Sequence, residues 1–171
     1  MPARAIPRRW SRWAGVAALA AVLAGHGALA AWQRDHAVMV NTSESLPNWA
    51  FFVEKNTEPR RGDYVFFKPP VTPLLVRHFG EHPGSFGKQV LGLPGDVVSH
   101  DGAVVRINGN PVARMKPLTR TGEPLHAGPT GRVPDGCYFA GTGHKDGFDS
   151  RYAEIGFVCR ARILGTGTPI L

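Results

Sequence analysis

The chain has 171 residues, room for one domain with a real core plus a short anchor. Its 43% hydrophobic and 19% charged residues exclude a long disordered protein. Setting aside Arg4, Arg8, Arg9 and Arg12, which precede an apolar run, lowers the net charge from +7 to +3; with no later basic cluster interleaved with aromatics, nucleic acid is excluded as a partner.

Residues 1–12 therefore form a basic segment. Residues 13–32, from Trp13 to Trp32, carry no formal charge, and His26 is their one titratable side chain. About 20 helical residues span roughly 30 Å, the thickness of a bilayer core. Tryptophans at both ends suit the two interfaces, and the arginines ahead suit the cytoplasmic side. This predicts a single-pass anchor at 13–32, residues 1–12 in the cytoplasm and an extracytoplasmic domain at 33–171. A cleaved secretory signal is the competing reading, because Ala28-Leu29-Ala30 resembles a cleavage site. The length of the run favours retention, and both readings give the same compartment.

Residues 33–44 read as a polar connector leading to Ser45. The rest is predicted to be mainly β, with strands near 50–53, 64–67, 88–91, 97–99, 104–107, 137–140 and 157–160. Turn signals lie between them at Gly62-Asp63, Gly95-Asp96, Asp101-Gly102, Asn108-Gly109 and Asp135-Gly136. Asn108-Gly109 predicts a tight hairpin, since a type I′ turn needs positive φ twice. Residues 69–73 and 116–133 read as loops. Cys137 and Cys159 are the two cysteines of the chain. An exported domain could pair them, and two buried free thiols are the alternative.

Three constellations carry candidate chemistry. Lys88 shares a strand face with Phe86 and Val90, which would desolvate its amine and favour the neutral form that a general base requires. Ser45 stands in Asn41-Thr42-Ser43-Glu44-Ser45-Leu46-Pro47, where a neighbouring amine could activate its hydroxyl as a nucleophile. In an extended segment Ser43 would point the same way as Ser45. It could then help the Ser45 backbone N–H hold an oxyanion. Asp149 and Arg151 in Asp149-Ser150-Arg151-Tyr152 would share a face of an extended segment and pair. Such a pair is either purely structural or holds a catalytic strand, and Asp149 could instead orient the lysine. His78 and His82 have helical spacing, but Pro83 follows and no acidic motif accompanies them, so no metal is expected. The run Gly141-Thr142-Gly143-His144-Lys145-Asp146-Gly147 is not a dinucleotide fingerprint.

Taken together, Ser43-Glu44-Ser45-Leu46-Pro47, Arg61-Gly62-Asp63-Tyr64-Val65-Phe66-Phe67, Lys88-Gln89-Val90-Leu91-Gly92-Leu93-Pro94-Gly95-Asp96 and Asp149-Ser150-Arg151-Tyr152 resemble the signal peptidase I superfamily (serine/lysine peptidase family S26). The segments look most like those of the TraF type, found in conjugative transfer. The resemblance implies a mainly β, signal-peptidase-like catalytic domain at 33–171 and a Ser/Lys endopeptidase needing no cofactor or metal. It implies Ser45 as nucleophile, Lys88 as general base, Asp149 as a supporting catalytic residue and Ser43 with Ser45 as the oxyanion hole. Arg151 and Asp96 would give structural support. The implied substrate is a preprotein or prepilin with small residues before the cut. The implied setting is the periplasmic side of a bacterial inner membrane, beside a conjugation or type IV secretion apparatus, with cyclisation of the pilin as one outcome. A general type I signal peptidase is the nearest alternative, and an inactive membrane-tethered binding subunit of a secretion apparatus is another. Where the TraF pattern expects glycine after Leu46-Pro47, Trp49 stands instead, which predicts a narrowed or reshaped cleft.

Overall fold

A computed structural model describes the backbone of residues 8–171 and the side chains from Trp13 onward. Residues 1–7 of the predicted basic segment, Arg4 among them, thus lie outside the described residues. The chain divides into two units, one ending at His36 and one covering Ala37–Leu171.

The first unit is helix α1, Arg8–Asp35. Within its stretch Trp13–Asp35, an 18-residue window reaches a mean hydropathy of 1.8, so the helix is long and apolar enough to cross a bilayer. The helix runs three residues past the predicted end at Trp32. The His36 ring Nδ1–H donates to Trp32 O at 3.1 Å, satisfying a carbonyl in the last turn, and Arg34 complements the helix dipole there.

After α1, the described residues form eleven strands and one short α-helix. The strands are β1 (His36–Val40), β2 (Ala50–Glu54), β3 (Tyr64–Phe67), β4 (Phe86–Gly92), β5 (Val97–Asp101), β6 (Val104–Ile107), β7 (Asn110–Arg114), β8 (Gly131–Arg132), β9 (Cys137–Gly141), β10 (Val158–Cys159) and β11 (Ile163–Pro169); helix α2 is Pro73–Phe79. One sheet has the order β1-β2-β11-β3-β4-β9-β10 and the other β7-β6-β5-β8. The mainly β expectation holds.

The two sheets share a core in which Val98, Val105 and Ile107 pack with Val133, Cys137 and Phe139. A second cluster joins Val65, Phe67, Leu75, Val90, Tyr138 and Val158. Asn108 and Gly109 turn β6 into β7 with φ of 50° and 81°, the double positive φ of a tight hairpin. Cys137 and Cys159 are register partners across β9 and β10, and a disulfide joins them.

Part of the predicted connector 33–44 is a strand instead. In β1 the side chains alternate: Ala37 and Met39 pack against Leu46, Phe51, Val53 and Phe66, while Val38 and Val40 face solvent. Strand β11 had no signal because Gly165, Gly167 and Pro169 weaken strand propensity. Those glycines permit close approach. A Cβ at Gly165 would stand 2.3 Å from Glu54 O, and one at Gly167 2.5 Å from Phe66 Cε2. Helix α2 is short, but Thr72 caps it by accepting from Leu75 N, Pro73 opens it, and Leu74 and Leu75 are buried.

Candidate active site

Lys88 lies on β4, between β3 and β9, opposite Val65. Its side chain is 6% exposed, and Nζ is 6.0 Å from the Phe86 ring centroid. Burial lowers the lysine pKa. The Asp149 charge partly offsets that shift, and the Arg151 charge adds to it. Nζ donates to Ser45 Oγ at 3.2 Å.

Ser45 reaches this position because Leu46, the next residue, is buried against Phe51, Val53 and Phe66. Leu46 also lies over Gly87. A Cβ there would stand 3.1 Å from Leu46 Cδ1 and 2.9 Å from Phe66 Cε1. The bare backbone one residue before the lysine therefore lets the serine loop settle on β4. The segment is a turn and not the extended chain expected from the sequence. Even so, the Ser43 and Ser45 hydroxyls are 2.8 Å apart.

Sequence reasoning missed Asn41. Its Oδ1 accepts from Ser43 Oγ at 3.0 Å and from Ser43 N at 3.1 Å. Its Nδ2 donates to Leu46 O at 3.2 Å and Asn48 O at 3.0 Å. Its backbone N–H bonds Trp49 O at 2.8 Å. The amide spans the serine loop from both sides. A side chain able to donate and accept, placed at the head of a loop it must hold, was the available signal.

Asp149 and Arg151 are 0% and 1% exposed and form a two-point ion pair: Nε to Oδ1 at 2.8 Å and Nη2 to Oδ2 at 2.9 Å. They sit in a turn, closed by Tyr152 N to Asp149 O, and not on the predicted extended segment. The turn is fastened to β9 by Ser150, whose N–H bonds Ala140 O and whose Oγ accepts from Ala140 N, each at 3.0 Å. Ala140 is the register partner of Val90, so the pair lies one strand away from Lys88. The carboxylate also accepts from Arg151 N and Thr142 N, each at 3.1 Å. Four bonds occupy its lone-pair sites, so Asp149 acts on Lys88 through charge and not through a hydrogen bond. Burial drives the Asp149 carboxyl upward, against the pull of Arg151 and, more weakly, of Lys88. Residues 142–147 wrap the guanidinium, which donates to the carbonyls of Thr142 and His144. The glycine-rich run there has a structural reason. A Cβ at Gly147 would lie 2.6 Å from Thr142 Oγ1 and 2.9 Å from Arg151 Nη2.

Asp96 stands in the turn between β4 and β5. It accepts from Leu93 N at 2.6 Å and Asn108 Nδ2 at 2.7 Å, and pairs with Arg61 Nη2 at 2.5 Å. Burial raises its carboxyl, but these donors outweigh burial and hold it below the usual range. The ion pair fastens the Arg61-Gly62-Asp63 turn to the turn that ends β4.

Ser45 and Lys88 line a cleft of about 320 Å3, walled by Val40, Leu46, Phe66, Phe79, Phe86 and Phe148. Trp49, expected to narrow it, is 56% exposed and does not line it. Of the two histidines at helical spacing, His78 pairs with Glu123, while α2 ends at Phe79, short of His82.

The family model described as signal peptidase, peptidase S26, matches residues 8–171. The chain belongs to the S26 signal peptidase family. Plasmid transfer protein TraF of Escherichia coli is 30% identical over 152 residues, covering 77% of this chain and 81% of that protein. Signal peptidase I of Leptolyngbya laminosa is 32% identical over 107 residues, covering 63% of this chain and 50% of the relative. A probable signal peptidase I-2 of Synechocystis sp. is 33% identical over 111 residues, with coverages of 63% and 46%. This S26 chain thus spans about half the length of those two signal peptidase I relatives. Among solved structures, a signal peptidase I of Enterococcus faecalis V583 is 25% identical with a TM-score of 0.41, covering 66% of this chain and 98% of that one.

Proposed function

We propose that this S26 family member is a membrane-anchored serine endopeptidase in which Ser45 is the nucleophile and Lys88 its general base. The observation carrying this reading is the 3.2 Å contact between Lys88 Nζ and Ser45 Oγ, made by a buried lysine of lowered pKa. In the neutral amine that contact reverses: the Nζ lone pair accepts the Ser45 proton as Oγ attacks the scissile carbonyl. The Ser45 N–H and the Ser43 hydroxyl, once turned from Asn41, meet the oxyanion. Protonated Lys88 then returns its proton to the leaving amine, and water cleaves the acyl-enzyme. Asp149 and Arg151 support the site by fastening the turn beside β9 and by setting the charge around Lys88. Asp96 supports it by fixing the end of β4.

In this reading residues 1–12 are cytoplasmic, α1 is a retained single-pass anchor in a bacterial inner membrane, and 33–171 is the periplasmic catalytic domain. Substrates are exported precursors with small residues before the cut. The likeness to a plasmid transfer protein over most of both chains favours pilin maturation in a conjugation or type IV secretion apparatus. The resemblance to signal peptidase I relatives supports a second reading, general preprotein processing.

The test is cleavage of a membrane-embedded prepilin and an ordinary preprotein by wild type and Ser45→Ala, with product masses. Cleavage of prepilin alone, absent in Ser45→Ala, is the expected result, and a product lighter by one water identifies cyclisation. Cleavage of the preprotein, with bulk export failing on gene deletion, moves the assignment to general processing. A folded wild type that cleaves neither leaves a membrane-tethered binding subunit as the reading.

A further inference from the structure

We propose that a second, apolar cavity beside the Ser45–Lys88 cleft is a subsite for a large apolar side chain of the precursor, at a position away from the cut itself. The cavity holds about 240 Å3 and is walled by Leu74 and Phe79 of α2, by Leu118 and Leu125 of the loop after β7, and by Phe148 and Tyr152. An engineered apolar cavity of about 150 Å3 accepts a benzene ring. This one therefore has room for a side chain the size of leucine or phenylalanine.

Its position names the occupant. Phe79, Asp146 and Phe148 line both the cavity and the cleft, so a peptide seated at Ser45 runs past its mouth. The subsite rests on the peptidase reading in that respect: the chain running past is a substrate. The facing walls are also tied together. Glu123 of the loop accepts from Arg77 Nε of α2 at 2.6 Å and pairs with His78, and Thr121 Oγ1 donates to it at 3.0 Å. The Tyr152 hydroxyl accepts from Lys116 N at 3.0 Å. A cavity held open by such ties meets its ligand largely formed, and filling it removes apolar surface from water.

The full chain, reconstituted in lipid vesicles, is given precursor peptides carrying Ala or Phe at each position flanking the cut. Wild type is expected to prefer Phe at one position by about tenfold or more in kcat/KM. Leu118→Glu, which sets a charge at the half-exposed rim, is expected to bring that ratio close to one. Absence of a Phe preference at every position, or a preference that survives Leu118→Glu, overturns the subsite. The same peptides are bound to folded Ser45→Ala protein and read by fluorescence anisotropy, so that turnover is not needed. A wild type that cleaves nothing ends the peptidase reading. The subsite then stands if Phe peptides bind tighter and lose that advantage with Leu118→Glu, and falls if they do not.

Discussion

Lys88 Nζ stands 3.2 Å from the hydroxyl of Ser45, 43 positions earlier in the chain. Two packing facts produce that meeting. Lys88 is on an inner strand, and Leu46 presses onto the same strand over Gly87. The lysine is buried with a hydroxyl and a ring for neighbours, which costs stability whenever its amine is charged.

That cost has a sign and a pH range. The folded pKa of Lys88 is lowered from the usual value of 10.5, so between the two values the unfolded chain holds more protons and stability rises with pH. Below the folded pKa the full penalty applies. Lys88→Met is therefore expected to raise Tm at neutral pH by a few degrees, on the order of 1 kcal/mol. Its advantage over wild type is expected to shrink as pH approaches about 10. Thermal scans against pH check this, and a variant less stable than wild type at neutral pH contradicts it.

The serine loop depends on Gly87. Gly87→Ala places a methyl against Phe66 and Leu46, side chains able to shift by tenths of an ångström. The expected stability loss is modest, about 1–2 kcal/mol, while displacement of Ser45 lowers kcat by up to about a hundredfold. Parallel denaturation and steady-state kinetics separate the two effects.

Asn41 is expected to act on kcat more than on KM. Asn41→Ala frees the Ser43 N–H and the carbonyls of Leu46 and Asn48, and so loosens the loop that carries Ser45. A drop of about tenfold to a hundredfold in kcat is predicted, with KM within about twofold and Tm little changed. An equal rise in KM would assign Asn41 to substrate binding instead.

Asp149→Ala leaves Arg151 buried without its partner. Losing one member of such a pair costs about 3–5 kcal/mol. Urea denaturation should show the midpoint falling accordingly; a shift below about 1 kcal/mol would mean that the surrounding carbonyls suffice to hold the guanidinium.

The sequence revealed what periodicity and turn chemistry encode. Strand β3 begins and ends where its aromatic run does, and Asn108-Gly109 announced its hairpin because few residues tolerate positive φ. It could not reveal β11, whose glycines serve backbone approach and not strand propensity, or α2, too short to show a helical period. Residues 149–151 read as extended because an i, i+2 pair suits a strand. Arg151 is long enough to fold back on Asp149 within a turn, which spacing alone does not disclose. Asn41 was invisible for another reason: its partners are mostly backbone atoms brought near by the loop, and they leave no mark in side-chain pattern. Trp49 was expected at the cleft because it replaces a glycine, yet it stands in solvent.

The most direct test of Lys88 as the base for Ser45 is precursor cleavage by wild type and Lys88→Met from about pH 6 to about pH 10. The account predicts that wild-type kcat/KM climbs with pH to a plateau, with its inflection below the ordinary lysine value of 10.5, while the folded variant stays at least about a hundredfold slower and flat throughout. A folded Lys88→Met that cleaves at the wild-type rate near neutral pH would contradict it.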